Sequence, residues 1–151
     1  MDPIEQWKQV ITQANRAFAH DHYALAAGLY QHAAGLISDA WPDYVENQLS
    51  LSQQRWQDSV VQMVICFSVS VQNLAETYAR QSRQRRCLSL LRRTLSQLQA
   101  LQQQLATEHP ASVAILRESC HIRRELLRFS QPDNSAVLTQ APAKARQNYL
   151  H

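Results

Sequence analysis

The sequence predicts an all-α protein, and three observations carry that reading. The 151 residues include only 2 Gly and 5 Pro, too few for the turns of a strand-rich fold. Gln, Leu and Ala are abundant, and all three are helix formers. Apolar residues recur three and four positions apart along most of the chain, the period of an amphipathic helix. A hydrophobic content of 45% against 18% charged is enough for a core, and the length suits one domain. About five helices in antiparallel hairpins are expected over residues 1–129, with a tail over residues 130–151.

The first helix has a strong start. Asp2 can cap, Pro3 fits the first helical position, and Glu5 completes a capping box. Trp7, Val10, Ile11, Ala14, Ala17 and Phe18 form its apolar stripe. His20-Asp21-His22 reads as the turn. The second helix is expected from about Tyr23 to Ile37, with Ala26, Leu29, Tyr30, Ala33 and Leu36 inward, and with Gly28 and Gly35 admitting a close neighbour. Asp39-Ala40-Trp41-Pro42 reads as its stop.

From Asp43 to about Arg80 nothing stops a helix. Val45, Leu49, Trp56, Val60, Met63, Phe67, Val71, Leu74 and Tyr78 keep three-four spacing. This predicts one long central helix; the alternative is two helices meeting near Ser50-Leu51-Ser52. A fourth helix follows from about Arg85 to Ala106, with Cys87, Leu88, Leu91, Leu95, Leu98, Leu101 and Leu105 in its stripe. Glu108-His109-Pro110 is the next boundary. The fifth helix, to about Phe129, carries Val113, Leu116, Cys120, Ile122, Leu126 and Leu127 as its apolar positions. Pro132, Asp133, Asn134 and Pro142 mark the tail, which has room for a short helix from Ala143 to Leu150.

The longest apolar run, Val60 to Val71, is broken by Gln62, Ser68 and Ser70 and falls short of the roughly 18 residues of a membrane span. The N-terminus lacks the basic and apolar regions of a signal peptide. Cys66, Cys87 and Cys120 are odd in number and far apart, so they read as buried thiols of a cytoplasmic protein. The formal charge of +3 is unevenly spread. Residues 1–70 hold three basic and seven acidic side chains, a net of −4. Residues 71–151 hold twelve basic and five acidic ones, a net of +7. Such asymmetry suits an acidic partner or head-to-tail self-association.

Two segments echo each other. Ala14, Ala26, Tyr30 and Ala33 are spaced as Ala75, Cys87, Leu91 and Thr94. Small residues at such places let paired helices approach, and larger ones fill the gap. The arrangement resembles the tetratricopeptide repeat. Residues 73–114 resemble its longer, kinesin-light-chain-type variant through Asn73-Leu74-Ala75, Tyr78, Leu90-Leu91-Arg92-Arg93 and His109-Pro110-Ala111-Ser112-Val113-Ala114. Leu116 then takes the place of Leu74 and opens a third, incomplete unit. Trp7, Ala14-Asn15-Arg16-Ala17, Tyr23, Leu29-Tyr30-Gln31 and Val64-Ile65-Cys66 are also similar to a family of small uncharacterised bacterial tetratricopeptide-like proteins. The resemblance implies a stack of helical hairpins with a concave face for a partner's peptide or helix, and it assigns no activity.

Little in the chain points to catalysis. His20 and His22 sit on a turn without further ligands nearby, whereas zinc needs three or four that converge. Cys120 and His121 are adjacent on a helix and point about 100° apart. Asp2 with Glu5, and Asp43 with Glu46, fit helix starts, where carboxylates complement the dipole. No enzyme activity, cofactor or metal is expected. The expected function is a non-catalytic interaction module binding a protein or peptide partner, acidic in character. Its groove would present Asn15, Gln72, Asn73, Arg80 and Arg117, with Asn15 and Asn73 at matching repeat positions. Arg83, Arg85, Arg86 and Arg124 form a basic patch, continued by Arg92, Arg93, Arg117, Arg123 and Arg128. Nucleic-acid association through these arginines is one alternative, though stacking aromatics are scarce. A homodimer joining the acidic and basic halves is another.

Overall fold

Every helix of the bundle packs on the third. The structure, a computed structural model, describes residues 2–46 and 53–131. Among these, α1 runs Pro3–Ala19, α2 Tyr23–Glu46, α3 Gln53–Arg80, α4 Gln84–Gln104 and α5 Pro110–Ser130, and no strand occurs. Consecutive helices pack as neighbours, and α3 also touches α1 and α5. The expected tail helix lies outside the described residues.

Local chemistry sets most boundaries. Asp2 Oδ1 accepts the Ile4 N–H at 3.1 Å, and Pro3 follows at the first position of α1. Glu5 does not complete a capping box; it turns instead to Lys8 Nζ at 3.2 Å. At α5, His109 is the cap: its Nδ1 accepts the Ala111 N–H at 2.9 Å. Burial lowers the His109 pKa, which keeps that nitrogen unprotonated and able to accept.

The second helix departs from expectation. It does not stop at Asp39–Pro42 but continues to Glu46, with Pro42 inside. Proline forfeits one intrahelical hydrogen bond there. The neighbouring Trp41 is buried among Met63, Val64 and Leu101, a contact that favours continuation. Ile37 and Trp41 lie by Met63 and Val64, while Gln31 and Ala34 lie by Val71, Leu74 and Tyr78. Helices α2 and α3 therefore run antiparallel. The long central helix expected from Asp43 to Arg80 is α3, which begins at Gln53, while Asp43 to Glu46 belong to α2. The proposed junction, Ser50-Leu51-Ser52, lies outside the described residues, as do the side chains of Val45, Leu49 and Trp56.

The two hairpins are copies of one design. At the α1–α2 turn, His20, Asp21 and His22 donate to the carbonyls of Ala17, Phe18 and Ala17 at 3.2, 3.0 and 2.9 Å. At the α3–α4 turn, Gln81, Ser82 and Arg83 donate to Tyr78, Ala79 and Tyr78 at 3.1, 3.0 and 2.8 Å. Each partner is shifted by the same 61 positions, as from Ala17 to Tyr78. Asp21 and Ser82 share a left-handed φ of 60° and 61°, a conformation that costs a non-glycine residue about 1–2 kcal/mol. The echo residues follow: Ala14 with Ala75, Ala26 with Cys87, Tyr30 with Leu91 and Ala33 with Thr94 are all fully buried. A Cβ placed on Gly28 or Gly35 meets nothing within 4 Å, so neither glycine marks a close helix crossing.

Because four helices surround α3, residues 68–77 are buried without a break. The stretch Asp58–Arg80 is long and apolar enough to cross a membrane by length and composition, and 78% of its most apolar window is buried inside the protein. It is the core helix of the bundle. Trp7, 1% exposed, pins α1 to it: the indole Nε1 donates to Ser70 Oγ at 2.7 Å, and that hydroxyl donates to the Cys66 carbonyl at 2.8 Å.

Candidate functional site

The residues expected to line a groove do not form one accessible surface. Gln72 is buried and donates to Ser68 Oγ at 2.9 Å. Asn73 is fully buried, and neither of its amide atoms has a hydrogen-bond partner. Neither side chain reaches a surface where a partner could meet it: residues 68–77 of α3 are all buried. Asn15 is half-buried and accepts the Tyr30 hydroxyl proton. Arg80 lies on Glu76 at 3.4 Å and over the Phe18 ring at 5.5 Å. Arg117 is exposed on α5. Nor do Asn15 and Asn73 match: the shift of 61 set by the turns pairs Asn15 with Glu76, and Thr12 with Asn73.

An unpaired buried amide costs on the order of 1–3 kcal/mol. Asn73→Leu, which removes both orphaned groups at similar volume, is expected to stabilise the protein by about 1 kcal/mol. A urea midpoint that falls in this variant would show that Asn73 is satisfied in solution.

Glu76 organises one end of the bundle. It is 1% exposed, with Arg128 Nη2 at 2.6 Å and Arg80 Nη2 at 3.4 Å. Arg128 also reaches Glu125 at 2.7 Å and covers the Phe129 ring at 4.3 Å. Burial raises the Glu76 pKa despite the two guanidinium groups. Gln84 donates to the Phe129 carbonyl, tying the start of α4 to the end of α5.

Arg83, Arg85 and Arg86 are exposed around the start of α4, and Arg86 sits 6.0 Å from the Tyr78 ring centre. Arg83 occupies the N-cap without a side-chain hydrogen bond, and the first turn has no acidic residue. Positive charge there opposes the helix dipole. Arg124 is exposed farther along, on α5.

The open concavity lies elsewhere, between α2 and α4 over α3. It consists of two adjoining hollows that share Ser38, Phe67 and Gln97, of about 210 Å³ and about 260 Å³. Ile37, Trp41, Met63 and Leu101 line the first. Val71, Leu74, Tyr78, Leu90 and Arg93 line the second. The small residues Ala34, Gly35 and Thr94 leave the space. The Trp41 indole N–H is buried without a hydrogen-bond partner. Sequence periodicity assigned these α3 residues to a core. Met63, Val71 and Leu74 are indeed buried beneath the hollows, and only Phe67 and Tyr78 are partly exposed.

The fifth helix also differs from expectation. Its buried face is Ala111, Ala114, Ile115, Glu118, Ser119, Ile122 and Phe129. Val113, Leu116, Cys120 and Leu127, expected inside, are exposed. Leu116 is 53% exposed and Leu74 only 4%, so the two do not hold equivalent places. Burial pushes the Cys66 and Cys87 thiols up to about 12, while Cys120 is the exposed one. His20 and His22 have ring centres 6.2 Å apart, and among the described residues no three His, Cys, Asp or Glu side chains gather as metal ligands do.

A family model described as a protein of unknown function (DUF2753) matches residues 5–148, and the chain belongs to that family. Neither the curated proteins nor the solved structures contain a match.

Proposed function

We propose that this DUF2753 member is a non-catalytic protein-interaction module, a tetratricopeptide-like stack of helical hairpins that holds a helix or peptide of a partner. The observation that carries this reading is the apolar groove between α2 and α4. Its floor from Met63 to Tyr78 is about 22 Å long at 1.5 Å per residue, the length of about four turns of a bound helix. Helix-in-groove recognition rests on apolar anchors spaced at i, i+3, i+4 and i+7; on this chain the half-buried Phe67 and Tyr78 would meet them, with buried Val71 and Leu74 as the floor beneath. Arg93 on the rim favours an acidic residue on the occupant. Unpaired thiols fit a cytoplasmic setting.

The test uses Gly35→Trp, because a side chain at Gly35 has free space before it and projects into the groove. Replacing a helical glycine also favours the helix, so the thermal midpoint is expected to hold or rise. Captured from the native cell, the wild type is expected to retain a partner that Gly35→Trp loses at least about tenfold, roughly 1.4 kcal/mol. Equal recovery by both baits would remove the groove from consideration.

The exposed arginines at the start of α4 favour a second reading, nucleic-acid association. Its signature is binding to a single-stranded oligonucleotide that weakens steeply with salt.

A further inference from the structure

Among the described residues the exposed large apolar side chains sit on only two helices: Leu25 on α2, and Val113, Leu116 and Leu127 on α5. On α5, Val113, Leu116, Cys120 and Leu127 follow three-four-seven spacing and share one face. Leu127 is 70% exposed. The exposed charges on that face are all positive: Arg117, Arg123 and Arg124. The two glutamates of α5 do not offset them, because Glu118 is buried and Glu125 is bound to Arg128.

The outer face of α2 is complementary. The exposed Leu25 and His32 and the half-buried Leu29 and Leu36 are spaced to share it with the exposed Asp39 and Asp43, and α2 contains no Lys or Arg at all. Neither these aspartates nor Arg117, Arg123 or Arg124 makes an ion pair among the described residues. We propose that two copies of this chain associate head to tail, the outer face of α5 in one copy packing on the outer face of α2 in the other.

Charge selects this occupant. Two α5 faces pressed together would crowd six guanidinium groups with no carboxylate to offset them. Residues 132–151 hold Lys144 and Arg146 against Asp133, so the chain's own tail has the wrong sign for the arginine face. The α2 face of a second copy supplies both leucines and aspartates. It also lies apart from the groove, which uses Gln31, Ala34, Gly35 and Ser38 of α2. Self-association therefore stands independently of the proposed function. Such a contact joins two different surfaces, so it propagates into chains or closes into a ring. The faces, about 21 Å and 27 Å long at 1.5 Å per residue, are too small for the ~1,200–2,000 Å² of a stable complex. The association belongs to high protein concentration and weakens as salt screens the charges.

Sedimentation velocity of the full chain tests this with exposed-site variants that leave the core alone. The wild-type average mass is expected to rise with concentration at low salt and to fall on adding salt. Arg117→Glu with Arg124→Glu is expected to abolish the rise, and so is Asp39→Lys with Asp43→Lys. Mixed one to one, the two double variants offer both the native α5–α2 contact and a charge-swapped one, and association is expected to return. Maleimide labelling gives a second readout, because only Cys120 is exposed: its labelling is expected to slow several-fold at high concentration in the wild type and not in the α5 variant. A wild type that stays monomeric throughout overturns the proposal. So does self-association that survives the α2 changes, which would mean that α5 pairs with itself or with another surface.

Discussion

Trp7→Ala is expected to bring the protein close to its unfolding threshold. The indole is among the largest fully buried side chains, and removing a buried Trp costs about 3–5 kcal/mol, out of a total that for domains of this kind is about 5–15 kcal/mol. The loss combines two effects. A cavity opens between α1 and α3, and Ser70 loses the donor that held its hydroxyl. Trp7→Phe separates them, since the ring stays and the hydrogen bond goes; about 1–2 kcal/mol is expected there. Urea unfolding of both variants reads the two costs. A shift below about 1 kcal/mol in Trp7→Ala would mean that α1 is not pinned to α3 by this side chain.

Arg128→Ala is expected to be as damaging at neutral pH and much less so in acid. Arg128 is the strongest influence holding the Glu76 pKa down, yet burial still raises it. Without Arg128 a nearly unsolvated carboxylate keeps only Arg80 at 3.4 Å. Breaking a buried pair from one side costs about 3–5 kcal/mol. The pH dependence follows from the raised value. The native state takes up a proton on Glu76 at a pH where the unfolded chain has not yet done so. Stability contributed by this site is therefore present below the unfolded carboxylate pKa and is lost as pH rises through the folded one. Removing Arg128 moves the folded value higher still and widens that window. Urea midpoints from pH 8 down to pH 4 should show the deficit of Arg128→Ala shrinking on acidification. Adding Glu76→Gln should recover most of it at neutral pH. A deficit that is constant with pH and unrelieved by Glu76→Gln would place the cost in lost packing over Phe129.

The ends of helices were legible where side chains act on their own neighbours. Asp2-Pro3 and His109-Pro110 start helices for local reasons, and the left-handed turns at Asp21 and Ser82 end them. Pro42 misled because its penalty is local while the burial of Trp41 is not. The spacing of Ala14 to Ala75 was readable as an internal echo, since paired helices need small residues wherever they touch. The asparagines were read by type rather than by place. Asn73 is equivalent to the exposed Thr12 of the first hairpin, yet α3 has neighbours that α1 lacks, and they bury it. The fifth helix shows the limit of periodicity most clearly. It has two apolar faces, and spacing identifies both without telling which one the rest of the chain covers. The groove over Phe67 and Val71 was hidden for the same reason: an apolar strip reads the same whether a neighbour covers it or stands back from it.

The enclosure of α3 by its four neighbours governs how the protein breathes. Amide protons on the outer helices exchange with solvent through partial openings, such as fraying at Glu46 or at Ser130. The amides of residues 68–77 have no such shortcut, because lifting any single neighbour still leaves three others in place. Their exchange must report the opening of the whole molecule. That helix sets the cooperativity of the protein: its slowest protons measure the free energy of the entire fold, and a ligand that stabilises any flank slows them first.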